Sequence, residues 1–207
     1  MISHELKCIF IHIPKNAGQS IEMHLTGRIV PHLLAVNYKA NYPEKFEEYF
    51  KFTIVRNPWE RILSSYLFVR KGTNIITKTL WNYFASFYPQ RDFKEWIHFN
   101  KNIKETGLDT RFDLTVNKNL ALQHGLQKKW ITDENHQIII DYVGRFESLQ
   151  DDFAYICDKL GIKNKTLPHI NKTDHKRYTE YYDEEMINEV REIYCEDISL
   201  FNYEFGQ

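Results

Sequence analysis

Residues 7–20 read K-C-I-F-I-H-I-P-K-N-A-G-Q-S, and the fold turns on how the change at Pro14 is read. Cys8, Ile9, Phe10, Ile11 and Ile13 form a near-continuous apolar run of strand length, the pattern of a parallel strand covered on both faces. Pro14 stops it. Asn16, Ala17 and Gly18 are small or turn-prone, so the backbone can approach a ligand closely. Ser20 opens a stretch with Ile21, Met23, His24 and Leu25 at helical spacing. Strand, turn and helix N-terminus in this order present backbone N–H groups to an anion, and Lys15 adds a full positive charge. A Walker P-loop requires G-x-x-x-x-G-K-[ST], whereas here the lysine precedes the single glycine, so this is not Walker A. Taken alone, the stretch is equally an ordinary strand-to-helix turn with a solvated lysine.

A second stretch, F-K-F-T-I-V-R-N-P-W-E-R-I-L-S-S-Y at 50–66, repeats the pattern. Phe52, Thr53, Ile54 and Val55 predict a strand, and Pro58 stands where a helix tolerates proline best. A magnesium-dependent P-loop enzyme would place a carboxylate at such a strand end. This chain has Arg56 there, and Ser64 follows about two helical turns on. A guanidinium suits a bidentate phosphate contact, and a hydroxyl from the adjoining helix can donate to the same group.

I-P-K-N-A-G-Q-S and F-T-I-V-R-N-P-W-E-R-I-L-S-S-Y resemble the two cofactor loops of sulfotransferases that use 3′-phosphoadenosine 5′-phosphosulfate (PAPS), most closely the branch that includes carbohydrate O-sulfotransferases. The likeness extends to D-Y-V-G-R-F-E-S-L at 141–149 and to L-P-H-I-N-K-T near the C-terminus, and is weak between about residues 72 and 125. It implies that Lys15 and the turn of Asn16, Ala17, Gly18, Gln19 and Ser20 hold the 5′-phosphosulfate, and that Arg56 and Ser64 hold the 3′-phosphate. It further implies that the donor-rich loop after Leu167 closes over the nucleotide, with Lys172 and Lys176 nearest its phosphate; each of these is otherwise a plain basic surface residue. In the resembled family a histidine in the connector after the first helix often serves as general base. His32, after Pro31, takes that place, with Glu22 and His24 as rivals and a packing histidine as the plain alternative.

The remaining chain supplies a frame. With 207 residues, 43% hydrophobic and 15% aromatic, it can bury one substantial core, and a single domain spanning 1–207 is expected. The formal charge of −1 carries no nucleic-acid or membrane signature. Cys8, Cys157 and Cys195 are scattered and odd in number, which reads as reduced core thiols. The first strand begins within a few residues of Met1, so no signal peptide or membrane anchor is expected unless one has been removed, and a cytoplasmic location follows as an expectation.

Aromatic stripes over 73–104 predict two helices split at Tyr88-Pro89, the second capped by Asp92; they read as core or, alternatively, as a platform for a sugar or apolar acceptor. Residues 105–136 are the least legible, with a helix expected around Asn119 to His124 and Lys128-Lys129 as either a solvated pair or a contact to an anionic acceptor. Ile138 to Val143 is expected as the third strand, Ser148 to Leu160 as an amphipathic helix ending at Gly161, and Asp183 to Phe201 as a final helix.

Strands alternating with helices predict an α/β fold, P-loop-like with three layers and a central, mostly parallel sheet, and both anion loops fall at the carboxyl ends of strands where ligands of such sheets bind. The expected activity is in-line transfer of a sulfuryl group from PAPS to an acceptor hydroxyl, the acceptor a carbohydrate or glycoconjugate, leaving 3′-phosphoadenosine 5′-phosphate (PAP). No metal is required, and no H-x-x-x-H or C-x-x-C spacing supplies one. A P-loop kinase and a non-catalytic nucleotide- or glycan-binding module remain as alternatives. The acceptor and the oligomeric state are not readable from the chain.

Overall fold

The computed structural model describes residues 1–106, 125–167 and 176–207. They group into two compact units, one built from 1–56 with 127–167 and the other from 57–106, 125–126 and 176–207.

The first unit holds the sheet. Its four strands, β1 (Ile2–Ser3), β2 (Cys8–Ile11), β3 (Phe50–Val55) and β4 (Tyr142–Arg145), lie in that order, with β1 antiparallel to β2 and the other neighbours parallel. Cys8, Phe10, Phe52 and Ile54 alternate along β2 and β3 and so share a face. They pack with Ile21 of helix α1 (Gly18–Thr26) and with Phe153, Ile156 and Cys157 of a helix at Leu149–Leu160. Each large apolar side chain buried this way contributes roughly 1.5–3 kcal/mol, so this face fixes the register, in which Ile11 at the end of β2 lies opposite Thr53 of β3. Two short helices, α2 (Ala35–Asn41) and α3 (Pro43–Glu48), connect α1 to β3. Pro43 at the first position of α3 fits the rule for proline, whereas α2 occupies part of what reads in sequence as a plain connector.

The third strand departs from expectation. The Ile138–Ile140 run lies outside the parallel ladder: Ile138 makes an isolated antiparallel bridge to Thr132, and the Ile139 amide donates to the Ile131 carbonyl. Pairing with β3 starts at Asp141, whose amide donates to the Lys51 carbonyl at 2.9 Å and whose carboxylate accepts from the Lys51 amide at 2.7 Å and lies 3.0 Å from the Lys51 ammonium. That anchor sets β4 at Tyr142–Arg145.

The second unit is helical: α4 (Pro58–Lys71), α5 (Ile75–Phe87) and α6 (Phe93–Thr106), followed near the C-terminus by α8 (Glu184–Ile193) and α9 (Cys195–Phe201), with Leu149–Leu160 of the first unit numbered α7. Asn57 caps α4 through its side-chain oxygen to the Trp59 amide, and Gly72 ends it in a left-handed conformation. The aromatic stripes of α5 and α6 form a core, with Phe84 and Trp96 fully buried and their rings edge-to-face at 5.0 Å. The expected C-terminal helix is split at Tyr194, whose φ of −113° and ψ of 22° interrupt the turn. Cys195 is exposed at the start of α9, not a core thiol, while Cys8 and Cys157 are buried; all three are free. Among the described residues no helix is long and apolar enough to cross a membrane.

Candidate active site

β2 delivers the chain to a tight turn. Lys15 and Ala17 both take left-handed conformations, φ 73° and 59°, which curl the backbone between strand and helix. Ala17 is the N-cap of α1 and has no side chain with which to cap it; its carbonyl accepts from the amides of Ser20 and Ile21. The start of α1 therefore keeps the positive end of its dipole toward the turn without a side-chain acceptor at the cap. Ser20 is buried on the helix's first turn, while Lys15 and Gln19 are half-buried.

Gly18 is required by close approach. A Cβ there would stand 2.0 Å from His12 Cδ2. His12 is only 4% exposed and cannot swing aside, because its ring stacks on Phe10 and its Nδ1 lies 3.1 Å from the carboxylate of fully buried Glu22. That contact is at ion-pair distance but off the line of a well-formed hydrogen bond. Gly18→Ala should therefore lower stability by about 1–3 kcal/mol, the usual cost of overpacking. It will show as a lower urea midpoint at unchanged slope, and an unshifted midpoint would mean that the turn adjusts freely.

β3 ends at Val55, and Arg56 turns its guanidinium back to the first loop: Nη1 donates to the Lys15 carbonyl at 3.0 Å, while the planar group lies over the Phe146 ring at 3.8 Å. Asn16 joins the two loops from the other side, its Nδ2 donating to the Ile54 carbonyl at 2.8 Å and to Gln127 Oε1 at 2.7 Å. The Lys15 turn and the Arg56 strand end are thus one structure.

His32 arrives at the same end of the unit. Its ring centroid is 4.2 Å from that of His12 and 6.1 Å from that of Trp130. Burial pushes its pKa from the ordinary imidazole value down to about 4, and the neighbouring His12 adds to the effect. His32 is therefore neutral near pH 7 and able to accept a proton. Its rivals separate: the Glu22 carboxylate faces His12 inside the core, and His24 points elsewhere, its Nε2 2.9 Å from the Asn164 carbonyl and its ring edge-on to Phe153.

Ser64 lies half-buried in α4 of the second unit, and exposed Lys176, also in that unit, has its ammonium 3.8 Å from the Glu180 carboxylate. Lys172 and the expected helix around Asn119 to His124 lie outside the described residues. Lys128 is half-buried and Lys129 exposed in a single 3-10 turn. No group of His, Cys, Asp and Glu suited to a metal occurs among the described residues. Two residues at this site escaped the sequence reading, His12 and Gln127. His12 had a signal, being a polar residue inside a buried apolar strand, which demands a partner.

Comparison with known proteins agrees with this geometry. The sulfotransferase family pattern matches residues 1–204. Carbohydrate sulfotransferase 11 of Mus musculus and that of Rattus norvegicus are each 25% identical over 178 residues, 77% of this chain and 48% of theirs, so the chain spans about half the length of these mammalian relatives. An uncharacterized protein of Archaeoglobus fulgidus is 22% identical over 144 residues, covering 64% of this chain and 85% of its own. No solved structure matched. With a lysine turn and an arginine strand end joined at the carboxyl edge of a parallel sheet, and a family match across nearly its whole length, the chain belongs to the sulfotransferase family.

Proposed function

We propose that the protein transfers a sulfuryl group from PAPS, the donor its family generally uses, to a hydroxyl of a carbohydrate or glycoconjugate. The observation that carries this reading is the bond from Arg56 to the Lys15 carbonyl, which sets a cationic strand end beside a lysine-bearing turn. A ligand with two separate anionic groups needs such a pair. The donor set fits: the Lys15 ammonium, the Ser20 hydroxyl, the first amides of α1 and the Arg56 guanidinium are all donors or cations. The carbohydrate acceptor is supported by the mammalian relatives, which are named for that chemistry.

PAPS, when bound, supplies the sulfuryl group and a phosphate leaving group. Lys15 and the amides at the start of α1 meet the charge that grows on the leaving oxygen, so they favour the transition state over the ground state. His32 takes the proton of the acceptor hydroxyl. Arg56 holds the 3′-phosphate.

Thermal shifts test the nucleotide reading directly, since a ligand of the native state raises its stability. PAP should stabilise the protein without added metal, and adenosine 5′-monophosphate, lacking the 3′-phosphate, far less. Arg56→Ala should remove most of that difference, because a charge-assisted bond contributes roughly 1.5–3 kcal/mol. Equal shifts for the two nucleotides would refute a 3′-phosphate site at Arg56. A larger shift with adenosine triphosphate and magnesium would favour a kinase.

A further inference from the structure

Gln127 is fully buried and lies 71 residues from Arg56 and 111 from Asn16 in sequence, yet it bonds to both. Its Oε1 accepts from the Arg56 amide at 3.0 Å and its Nε2 donates to the Arg56 carbonyl at 2.8 Å, so the side chain pairs with the backbone as a neighbouring strand would, one residue after β3 ends. The same Oε1 accepts from Asn16 Nδ2. The other hydrogen of that Asn16 amide goes to the Ile54 carbonyl, so both amide orientations are fixed: flipping either would set oxygen against oxygen. An apolar residue here would take these partners away from the Arg56 N–H and C=O and from one Asn16 N–H. The amide also fixes geometry, because one side chain ties the Lys15 turn to the Arg56 strand end.

We propose that Gln127 is a positioning residue that locks these two loops together and so sets the spacing between the two anion subsites. The proposal rests on the reading of the loops as nucleotide subsites, but the lock itself can be tested without nucleotide. In Gln127→Leu, amide hydrogen exchange should rise together in segments 14–20 and 52–57 of the ligand-free protein, while helix 149–160 stays unchanged. Unaltered exchange in either loop overturns the lock. If Gln127→Leu does not fold, Gln127→Glu serves instead, since it keeps the shape and the acceptor oxygen but turns the donor into an oxygen facing the Arg56 carbonyl.

By calorimetry, the Gln127 variant should bind PAP about 10- to 100-fold more weakly, the range found when partners that orient metal ligands are removed, with a much smaller loss for adenosine 5′-monophosphate. A glutamine with a purely structural role would lower the melting temperature and leave the PAP-to-monophosphate affinity ratio untouched, and that outcome overturns the positioning role. Wild-type protein that does not distinguish the two nucleotides refutes the nucleotide reading, and the exchange comparison then decides the lock by itself.

Discussion

Turnover should fall by about 10²- to 10⁴-fold when His32 is replaced by alanine, the scale of a lost general base, while PAP binding stays nearly intact. The expectation rests on a ring packed against His12 and Trp130 and kept neutral by burial, with a pKa of about 4. The pH dependence carries a sign that can be checked. A base must be unprotonated to act, so the acid limb of the rate profile should fall near pH 4 and not near the ordinary imidazole value of about 6.5. Stability moves with the same group: because the folded value is depressed, the unfolded chain binds the proton first. The His32 contribution is full above about pH 6.5 and is lost as pH falls toward 4. Undiminished turnover in His32→Ala would pass the role to the neighbouring His12–Glu22 pair. An acid limb at 6.5 would mean that the working base is a solvated imidazole.

The elements that position the site were legible because their signals are local. The apolar run before Pro14, the β-rich run before Arg56, and the stripe from Leu149 closed by Gly161 each carry period and punctuation in a few consecutive residues. Where tertiary contacts decide, sequence misled. Three consecutive isoleucines at 138–140 look more strand-like than Tyr142–Arg145, yet Asp141, bonded to Lys51 through both its carboxylate and its own amide, starts the ladder after them. A continuous apolar stripe at 183–201 gave no hint of the break at Tyr194. The two loops announced themselves by residue type, but the groups that join them did not. Gln127 sits in an unremarkable Q-K-K-W stretch, and its partners are brought to it only by the sheet.

Lys15→Ala should reduce the catalysed rate by about 10²- to 10³-fold, the usual cost of one preset donor at a developing oxyanion, and weaken binding of PAP much less. PAP lacks the sulfuryl group, so it does not develop the charge that the ammonium meets. Arginine should rescue poorly, since its planar fork does not reproduce a compact point charge. The backbone supplies a control. Lys15 holds a φ of 73°, a conformation in which a non-glycine residue is strained by roughly 1–2 kcal/mol. Lys15→Ala keeps that strain, whereas Lys15→Gly removes it along with the ammonium. Lys15→Gly should therefore be at least as stable as wild type and just as inactive as Lys15→Ala, which separates loss of chemistry from loss of folding. The assay is release of sulfate from PAPS, with water as the acceptor if no sugar is supplied. If wild type and both variants release sulfate at one rate above a protein-free control, Lys15 has no catalytic role, and the turn between β2 and α1 is a binding loop alone.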